Sequence, residues 1–367
     1  MIFTCEKIKL QEAISTVQKA ITGKSTMPIL QGVLLIAENN TLTLIGSDID
    51  LSIETKIEAN ILTPGKIVVD SKLFGEIIKR LPNSNVEIST NEENSINIKC
   101  EKSNSTLFHM NADEYPEIPK INENMVCQMS QKILKNMIKG TIFAVAQDET
   151  RPILTGVLFE IKNNKLNLVA LDGYRLALRS ESINNKNDIN CVIPGKTLSE
   201  VSKVLEDDEK NVNLSFTLNH ILFNLGKTRI ISRLLEGEFI KYDSIIPEEY
   251  NLKVTAKRDE MLSCIERASL LGKEGNTNPV KFDIKDDTIV ITSNSQLGKV
   301  REELNIILQG DSLQIAFNSR YLIDVFKIMD QEEVFLELSS SVNPCVIKGK
   351  EGNNFTYLIL PVRCPIN

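Results

Sequence analysis

Residues 151–172 read RPILTGVLFEIKNNKLNLVALD, and residues 27–48 read MPILQGVLLIAENNTLTLIGSD. Aligned without a gap, the two stretches are identical at 11 of 22 positions. In each, an apolar run is followed by a polar Asn-Asn pair and a second apolar run, which is the pattern of a β-hairpin with a tight turn. The offset of 124 residues exceeds the roughly 20–50 residues of a solenoid repeat. The chain therefore contains a duplicated domain.

The same offset continues along the chain and reveals a third, more divergent copy. VVDSKLFGEII (68–78) matches VIPGKTLSEVS (192–202), and AFNSRYLIDVF (316–326) follows after another 124 residues. Each copy has a helix-like segment, a hairpin, a short strand, a second helix-like segment and closing strands. We therefore predict an α+β protein in which three domains, at 1–124, 125–249 and 250–367, each pack two helices on antiparallel sheets.

Composition excludes several classes of protein. The chain has 367 residues, a net charge of −7 and 42% hydrophobic residues, as in ordinary globular proteins. No membrane span and no secretory signal is visible, and seven dispersed cysteines favour reduced thiols over disulfides or a zinc site. We expect a cytoplasmic protein with no metal site and no cofactor.

The repeat separates residues that serve the fold from residues that serve function. Asp172 matches Asp48, so a turn or cap role is favoured over a catalytic carboxylate. By contrast, GYRLAL (173–178) and the carboxyl-terminal YLILPVR (357–363) have no counterpart in the other copies. These two stretches are the best candidates for a binding site.

The strings LVALDGYRLAL, NADEYPEIP (111–119) and LILPVR resemble the bacterial DNA sliding clamp, the beta subunit of DNA polymerase III, from Met1 to about Arg363. The resemblance implies three DNA-clamp domains per chain and a head-to-tail homodimeric ring of six domains that encircles duplex DNA without sequence specificity. It also implies a non-catalytic processivity factor with a peptide-binding cleft between the second and third domains. The implied partners are the replicative polymerase alpha subunit, the clamp-loader delta subunit, and other polymerases and repair factors.

The resemblance also implies site residues by position. For DNA phosphates these are Lys24, Lys72, Arg80, Arg151 and Lys196. For the partner-peptide cleft they are Leu154, Leu171, Gly173, Tyr174, Arg175, Leu176, Ile240, Ile245, Asn318, Tyr321, Val346, Leu358, Leu360, Pro361, Val362 and Arg363. In this set Tyr174 and Arg175 are expected to offer the peptide a ring and a forked donor, and Leu171 an apolar floor. For the dimer interface they are Leu270 and Leu271, received by Leu107.

The charge distribution provides a test that is independent of the resemblance. The six helix-like segments, at 7–24, 71–80, 132–147, 196–205, 257–273 and 319–328, carry a formal charge of +11, so the remainder of this −7 chain carries −18. Lysine-rich helix faces can be merely solvated, but a cationic lining would attract phosphates without reading bases.

Two other functions were weighed. An enzyme is disfavoured because the sequence has no glycine-rich phosphate loop, no HExxH motif and no GxSxG motif. A peptide-binding scaffold that never encircles DNA would explain the cleft, but it would not explain the segregation of charge.

Overall fold

The computed structural model describes residues 1–23, 25–121, 127–184, 188–271, 278–349 and 354–363. The first copy of the repeat comprises β1 (Ile2–Glu6), α1 (Lys7–Val17), β2 (Gly32–Glu38), β3 (Thr41–Ser47), β4 (Leu51–Glu58), β5 (Asn60–Thr63), β6 (Gly65–Asp70), α2 (Ser71–Arg80), β7 (Asn85–Thr90), β8 (Ser95–Cys100) and β9 (Ser103–Met110).

The second copy comprises β10 (Cys127–Ser130), α3 (Gln131–Ile142), β11 (Gly156–Lys162), β12 (Lys165–Leu171), β13 (Arg175–Ser182), β14 (Ile189–Pro194), α4 (Gly195–Val204), β15 (Asn211–Phe216), β16 (His220–Asn224) and β17 (Thr228–Arg233).

The third copy comprises β18 (Leu252–Lys257), α5 (Arg258–Ser269), β19 (Pro279–Lys285), β20 (Thr288–Ser295), β21 (Gly298–Asn305), β22 (Ile307–Gly310), β23 (Leu313–Asn318), α6 (Ser319–Ile328), β24 (Glu333–Leu338), β25 (Cys345–Gly349) and β26 (Phe355–Ile359). The predicted α+β class, with two helices in each copy, is confirmed for the described residues.

The three polar hairpin turns have the backbone that their residues predict. Both turn residues have positive φ at Asn39-Asn40 (49° and 56°), Asn163-Asn164 (51° and 59°) and Asp286-Asp287 (51° and 57°). Asn and Asp tolerate this left-handed region better than other residues with a side chain, and two such residues match the twist of the flanking strands. The same turn chemistry therefore fixes the same hairpin three times.

Among the described residues, α1, α3 and α5 are shorter than the segments predicted for them, whereas α2 and α6 have the predicted bounds and α4 is shifted by one residue. The segment at 7–24 is helical over Lys7–Val17, continues as a 3-10 turn at Gln18–Ala20 and is extended at Ile21. The β-branched pair Thr16-Val17 at its end has a low helix propensity. Two lysines of the predicted segments, Lys19 and Lys257, thus lie outside the α-helices, and Lys24 and Lys273 lie outside the described residues.

The chain forms two compact units, and the second copy of the repeat contributes to both. The amino-terminal unit, Met1–Lys132 with Lys196–Leu234, holds a 13-stranded sheet in which β4 pairs with β17. The carboxyl-terminal unit, Ile133–Gly195 with Leu235–Asn367, holds a nine-stranded and a four-stranded sheet. In the nine-stranded sheet β13 pairs with β26, and since β13 is the repeat equivalent of β4, the two joints between copies are equivalent.

Helices cover the sheets and bury an apolar face. On α1 the buried side chains are Leu10, Ala13, Ile14 and Val17, at the spacing of one helix face. This face packs against β3 and β4, and α1 also contacts α2, as α5 contacts α6. Asp70 caps α2 by accepting a 2.7 Å hydrogen bond from the Leu73 amide.

Candidate functional site

The loop between β12 and β13 is a tight turn organised by Asp172. One carboxylate oxygen, Oδ1, accepts hydrogen bonds from the amides of Tyr174 at 2.9 Å and Arg175 at 3.0 Å. Gly173 has a φ of +90°, which a residue with a Cβ rarely adopts. The turn role predicted for Asp172 is confirmed, and the turn directs Tyr174 towards solvent, where its side chain is 61% exposed.

An apolar floor lies next to this loop in the carboxyl-terminal unit. Leu171 pairs with Leu176 across β12 and β13, Leu176 with Leu358, and Leu358 with Val346. Residues paired in register project from the same face of a sheet, so the four side chains form one continuous row. All four are buried at 4% exposure or less. With Leu171 in it, the row is entirely aliphatic.

Three residues of the row, Leu171, Leu176 and Leu358, belong to a larger apolar cluster that the sequence revealed only in part. Leu154 is buried in the cluster, and Leu360 packs against it while remaining half-buried. Further members, which were not predicted from the sequence, are Ala146, Ile153, Leu158, Val169, Leu178, Val192, Leu235, Phe239, Tyr242 and Ile246. Strand alternation along β11 and β12 marks Leu158 and Val169 as facing this way. Phe239 lies outside helices and strands and Tyr242 begins a short 3-10 turn, so neither has a periodic signal.

Polar and aromatic side chains lie along one edge of the cluster. Tyr174 stacks on Tyr321 with ring centroids 6.3 Å apart. Burial, with the Asp172 carboxylate nearby, raises the pKa of Tyr321, so its hydroxyl is neutral at pH 7. Asn318 is 5% exposed and caps α6 by accepting from the Arg320 amide at 3.1 Å, so its side chain is engaged in the fold.

The remaining cleft residues differ in exposure. Arg363 is exposed, and Pro361 and Val362 are half-buried just beyond the end of β26. Ile240 and Ile245 are 38% and 37% exposed, and neither belongs to the apolar cluster as described. Tyr357, Leu358 and Ile359 of β26 are all buried, so this strand is covered on both faces.

Arg175 does not present the free forked donor that the sequence analysis expected. Its guanidinium donates to the Asp172 carboxylate at 3.0 Å, the Asp324 carboxylate at 2.6 Å and the Phe143 carbonyl at 2.5 Å. The side chain is 9% exposed. The fork is therefore occupied by groups of the chain itself.

The predicted phosphate contacts have unequal surroundings. Lys72 and Arg151 are exposed. Arg80 is 80% exposed and pairs with Glu76 at 3.0 Å, and Lys196 is 68% exposed and pairs with Asp48 at 3.0 Å. Exposed pairs of this kind are weak and exchange readily. Lys24 lies outside the described residues.

A polar cavity of about 680 Å³ lies beside Lys72 between α1 and α2. Its wall includes Gln11, Gln18 and Lys79. The side-chain amide of Gln18 donates a 2.7 Å hydrogen bond to the Ser71 carbonyl. It passes close to Gly75, where an added Cβ would lie 2.5 Å from Nε2 of Gln18.

The six α-helices of the described residues carry a formal charge of +7, so the rest of the chain carries −14. The sign segregation therefore persists with the shorter helices.

Two sheet edges carry exposed apolar side chains. β9 pairs with β8 along its length but with β6 only at His109 and Met110, among the described strands. Leu107 is half-buried there, and its neighbour Phe108 is 80% exposed. Phe108 was not among the predicted interface residues, although alternation with the polar, exposed Asn104 and Thr106 places it on the outward face.

The second edge is β21, at the end of the four-stranded sheet. Leu270, just after α5, is 67% exposed, and Leu271 is half-buried with a methyl carbon 3.5 Å from where a Cβ on Gly298 would lie. Arg267 of α5 pairs with Glu302 of β21, through Nε at 3.0 Å and Nη2 at 2.5 Å. This ion pair therefore connects β21 to α5 close to Leu270 and Leu271.

The described residues offer little other functional chemistry. They contain no group of three or more His, Cys, Asp or Glu side chains placed to hold a metal ion. In the same part of the chain no helix is both long and apolar enough for a membrane span. Burial raises the pKa of the Cys5 and Cys191 thiols to about 12, which leaves them protonated and poorly reactive.

Comparisons with known proteins match this chain to one family of proteins over nearly its full length. Models of the N-terminal, central and C-terminal domains of the DNA polymerase III beta subunit match residues 1–119, 128–241 and 243–363. A beta sliding clamp from Staphylococcus aureus is 37% identical, with 99% of each chain covered. The crystal structure of a DNA polymerase sliding clamp from Bacillus subtilis is 36% identical, with a TM-score of 0.97 and 100% of each chain covered. A DNA polymerase III beta subunit from Thermotoga maritima is 27% identical, with a TM-score of 0.93 and 100% of each chain covered.

Proposed function

We propose that two copies of this chain close head to tail into a ring of six domains around duplex DNA. The reason is that the chain belongs to the family of DNA polymerase III beta subunits, the bacterial sliding clamps. Sliding clamps are processivity factors, and the function of the chain is to keep polymerases on DNA. The observation that carries this conclusion is the match of three clamp domains, in order, along the chain. We set the domains at 1–124, 125–249 and 250–367 and expect no catalytic activity.

The charge pattern supports encirclement over specific binding. Helices with a net charge of +7 in a chain of −7 would attract phosphates wherever they face the duplex. Lysine and arginine contacts to phosphate carry no sequence information. Lys24, Lys72, Arg80, Arg151 and Lys196 are the proposed contacts, and a closed ring rather than high affinity retains the protein on DNA in the cytoplasm.

Ring closure is proposed between the two open sheet edges. β9 of one copy pairs with β21 of another, so that the 13-stranded and four-stranded sheets continue into each other. Leu270 and Leu271 of one copy then cover Leu107 and Phe108 of its neighbour. A two-fold ring uses this contact twice, and each chain contributes one edge of each kind.

The apolar cluster beside the Asp172 loop is the proposed docking groove for partner peptides. Its aliphatic floor suits apolar anchor side chains, while Tyr174 and Arg363 supply polar groups at the rim. Burial of two or three anchors at about 1.5–3 kcal/mol each, less the cost of ordering the peptide, predicts affinities near the micromolar range. The partners are the replicative polymerase alpha subunit, the clamp-loader delta subunit, and other polymerases and repair factors that must exchange.

Retention on circular DNA tests encirclement. The protein is loaded on nicked circular DNA by the cognate clamp loader and ATP, and the complex is then separated by gel filtration at raised salt. We expect retention on the circle and release once a restriction enzyme cuts it, because free ends let a ring slide off. Equal retention on circular and linear DNA would refute encirclement and favour the scaffold function.

A substitution pair tests the groove. Leu360→Ala removes a half-buried side chain that packs on the cluster, whereas Val342→Ala removes a 78% exposed side chain of the same unit outside the cluster. We expect Leu360→Ala to weaken binding of a labelled polymerase alpha-subunit peptide by about tenfold or more. Val342→Ala should bind normally. Equal affinities of the two variants would rule out the groove.

A further inference from the structure

Arg175 connects three segments of the carboxyl-terminal unit. Its Nε donates to Asp172 in the loop before β13, Nη2 to the carbonyl of Phe143 just after α3, and Nη1 to Asp324 on α6. Each of the three nitrogens thus points at a different segment. A planar guanidinium can hold all three at once because its donors have a fixed geometry, which a lysine ammonium lacks.

Aromatic rings complete the surroundings of this guanidinium. Its central carbon lies 4.5 Å from the ring centroid of Tyr321 and 5.3 Å from that of Phe143. Tyr321 in turn stacks on Tyr174, the exposed residue at the rim of the groove. The contacts of Arg175 therefore reach the rim through Tyr321, although Arg175 itself is only 9% exposed.

The loop held by Arg175 also positions the groove wall. The carbonyl of Tyr174 accepts a 2.8 Å hydrogen bond from the amide of Leu360. Leu360 is the side chain that packs on the apolar cluster from beyond β26. A shift of the loop would therefore move the backbone of Leu360 and change the width of the groove.

A direct contact between a docked peptide and Arg175 is disfavoured by what it would displace. The two carboxylates bound to Arg175, on Asp172 and Asp324, are only 14% and 30% exposed. A peptide group that took one nitrogen would leave a poorly solvated carboxylate without its cation, and separating a desolvated pair in this way is costly. The peptide has no comparable penalty at Tyr174 or Arg363.

The repeat shows that this arrangement is not needed for the fold. In the first copy the equivalent loop keeps the aspartate, as Asp48, but has Leu51 at the position of Arg175. Asp48 pairs with Lys196 instead, at the surface. The buried arginine is thus specific to the copy that carries the groove.

We propose that Arg175 is a positioning residue of the peptide groove, which fixes the Asp172 loop against α6 and sets the place of Tyr174 and Leu360 without contacting the peptide. This role rests on the proposed docking function of the groove. It assigns Asp324, which is outside the groove set, a part in partner binding as the anchor of Arg175 on α6.

The test uses two conservative variants and their combination in the full-length protein. Arg175→Lys keeps the charge but loses the fork, and Asp324→Asn keeps the size but loses the charge. We expect each to weaken a labelled polymerase alpha-subunit peptide by about tenfold. The double variant should bind the peptide with the same affinity as Arg175→Lys, because the two residues act as one unit. Hydrogen exchange at the Leu360 amide should become faster in all three variants.

Alanine-substituted peptides separate a positioning role from a direct contact. A positioning role predicts that Arg175→Lys weakens the parent peptide and each alanine-substituted peptide by the same factor. Loss confined to one peptide position, or normal binding by Asp324→Asn, would overturn the proposal while leaving the docking function intact. A wild-type protein that binds none of these peptides would overturn both.

A matched control lies on the same helix. Lys327 of α6 pairs with Glu266 of α5 at 2.9 Å and is 57% exposed. Lys327→Gln should leave peptide binding and Leu360 exchange unchanged. If it weakens the peptide as much as Asp324→Asn does, the effect is a general loosening of α6 and the specific role of Arg175 is refuted.

Discussion

Replacing Phe108 with alanine should convert the proposed ring into monomers without unfolding the chain. Phe108 is 80% exposed on the outward face of β9, so its ring stabilises the isolated chain very little. The same exposure makes it the largest apolar side chain available to a neighbour along that edge. Its loss should therefore appear in association and not in folding.

The size of the effect follows from the exposed area. A phenylalanine side chain contributes on the order of 200 Å² when buried, and the 80% that is exposed here corresponds to about 160 Å². At about 25 cal/mol per Å² this is about 4 kcal/mol, of which alanine retains roughly 1 kcal/mol. A two-fold ring has two such contacts, so the dimer should lose about 6 kcal/mol, or roughly 10⁴-fold in Kd.

Sedimentation equilibrium over a dilution series measures this change directly. Leu218→Ala is the control, because Leu218 is 98% exposed in the same unit but lies at the β15–β16 turn, away from β9. Thermal unfolding of both variants should match that of the wild type once dimer dissociation is allowed for. If Phe108→Ala dimerises as tightly as the wild type, the proposed pairing of β9 with β21 is incorrect.

The other predictions concern a strained turn, a phosphate contact and an ion pair. Ile49 has a φ of 83°, which is costly for a β-branched residue. Ile49→Asn should therefore raise the free energy of unfolding by about 1 kcal/mol. A lower free energy of unfolding in urea would contradict the strain at Ile49. Lys72→Ala should reduce the slope of log affinity for short duplex DNA against log salt by about one, equally for different sequences; an unchanged slope would exclude the contact. The hydrogen bond from Arg267 holds the pKa of Glu302 below its ordinary value. The contribution of this ion pair to the free energy of unfolding is therefore fully present above the ordinary pKa of about 4.3. It is lost as the pH falls through the lower pKa of the folded protein. Glu302→Gln should remove this part of the acid dependence in thermal melts, and an identical pH profile in both proteins would contradict it.

Much of the fold follows from the sequence because local chemistry is written three times. The Asn-Asn and Asp-Asp turns required no tertiary information, since each residue type favours the left-handed backbone that the hairpin needs. Helix faces were equally clear, because Leu10, Ile14 and Val17 follow the period of one side of a helix. These features are determined by neighbours only a few residues apart.

Features that depend on distant residues were not predictable from the same patterns. The register of β13 on β26 brings Leu176 opposite Leu358, a pairing between residues 182 positions apart in the sequence. The sequence identified both as apolar but not as neighbours. The environment of Arg175 was likewise hidden, since nothing near it in sequence indicates that Asp324 would take its donors.

The two equivalent joints have diverged, and only the second lies beside the proposed peptide groove. Both joints have an antiparallel pair, β4 with β17 and β13 with β26, and both begin with an aspartate turn, at Asp48 and Asp172. In the first, Asp48 takes an exposed lysine from α4. In the second, Asp172 shares a buried arginine with α6, and Gly173 replaces the strained Ile49. The second turn is thereby relaxed in its own backbone and held by contacts from outside the turn. The proposed docking function requires this combination, because a preorganised site loses less free energy on ordering each time a peptide docks.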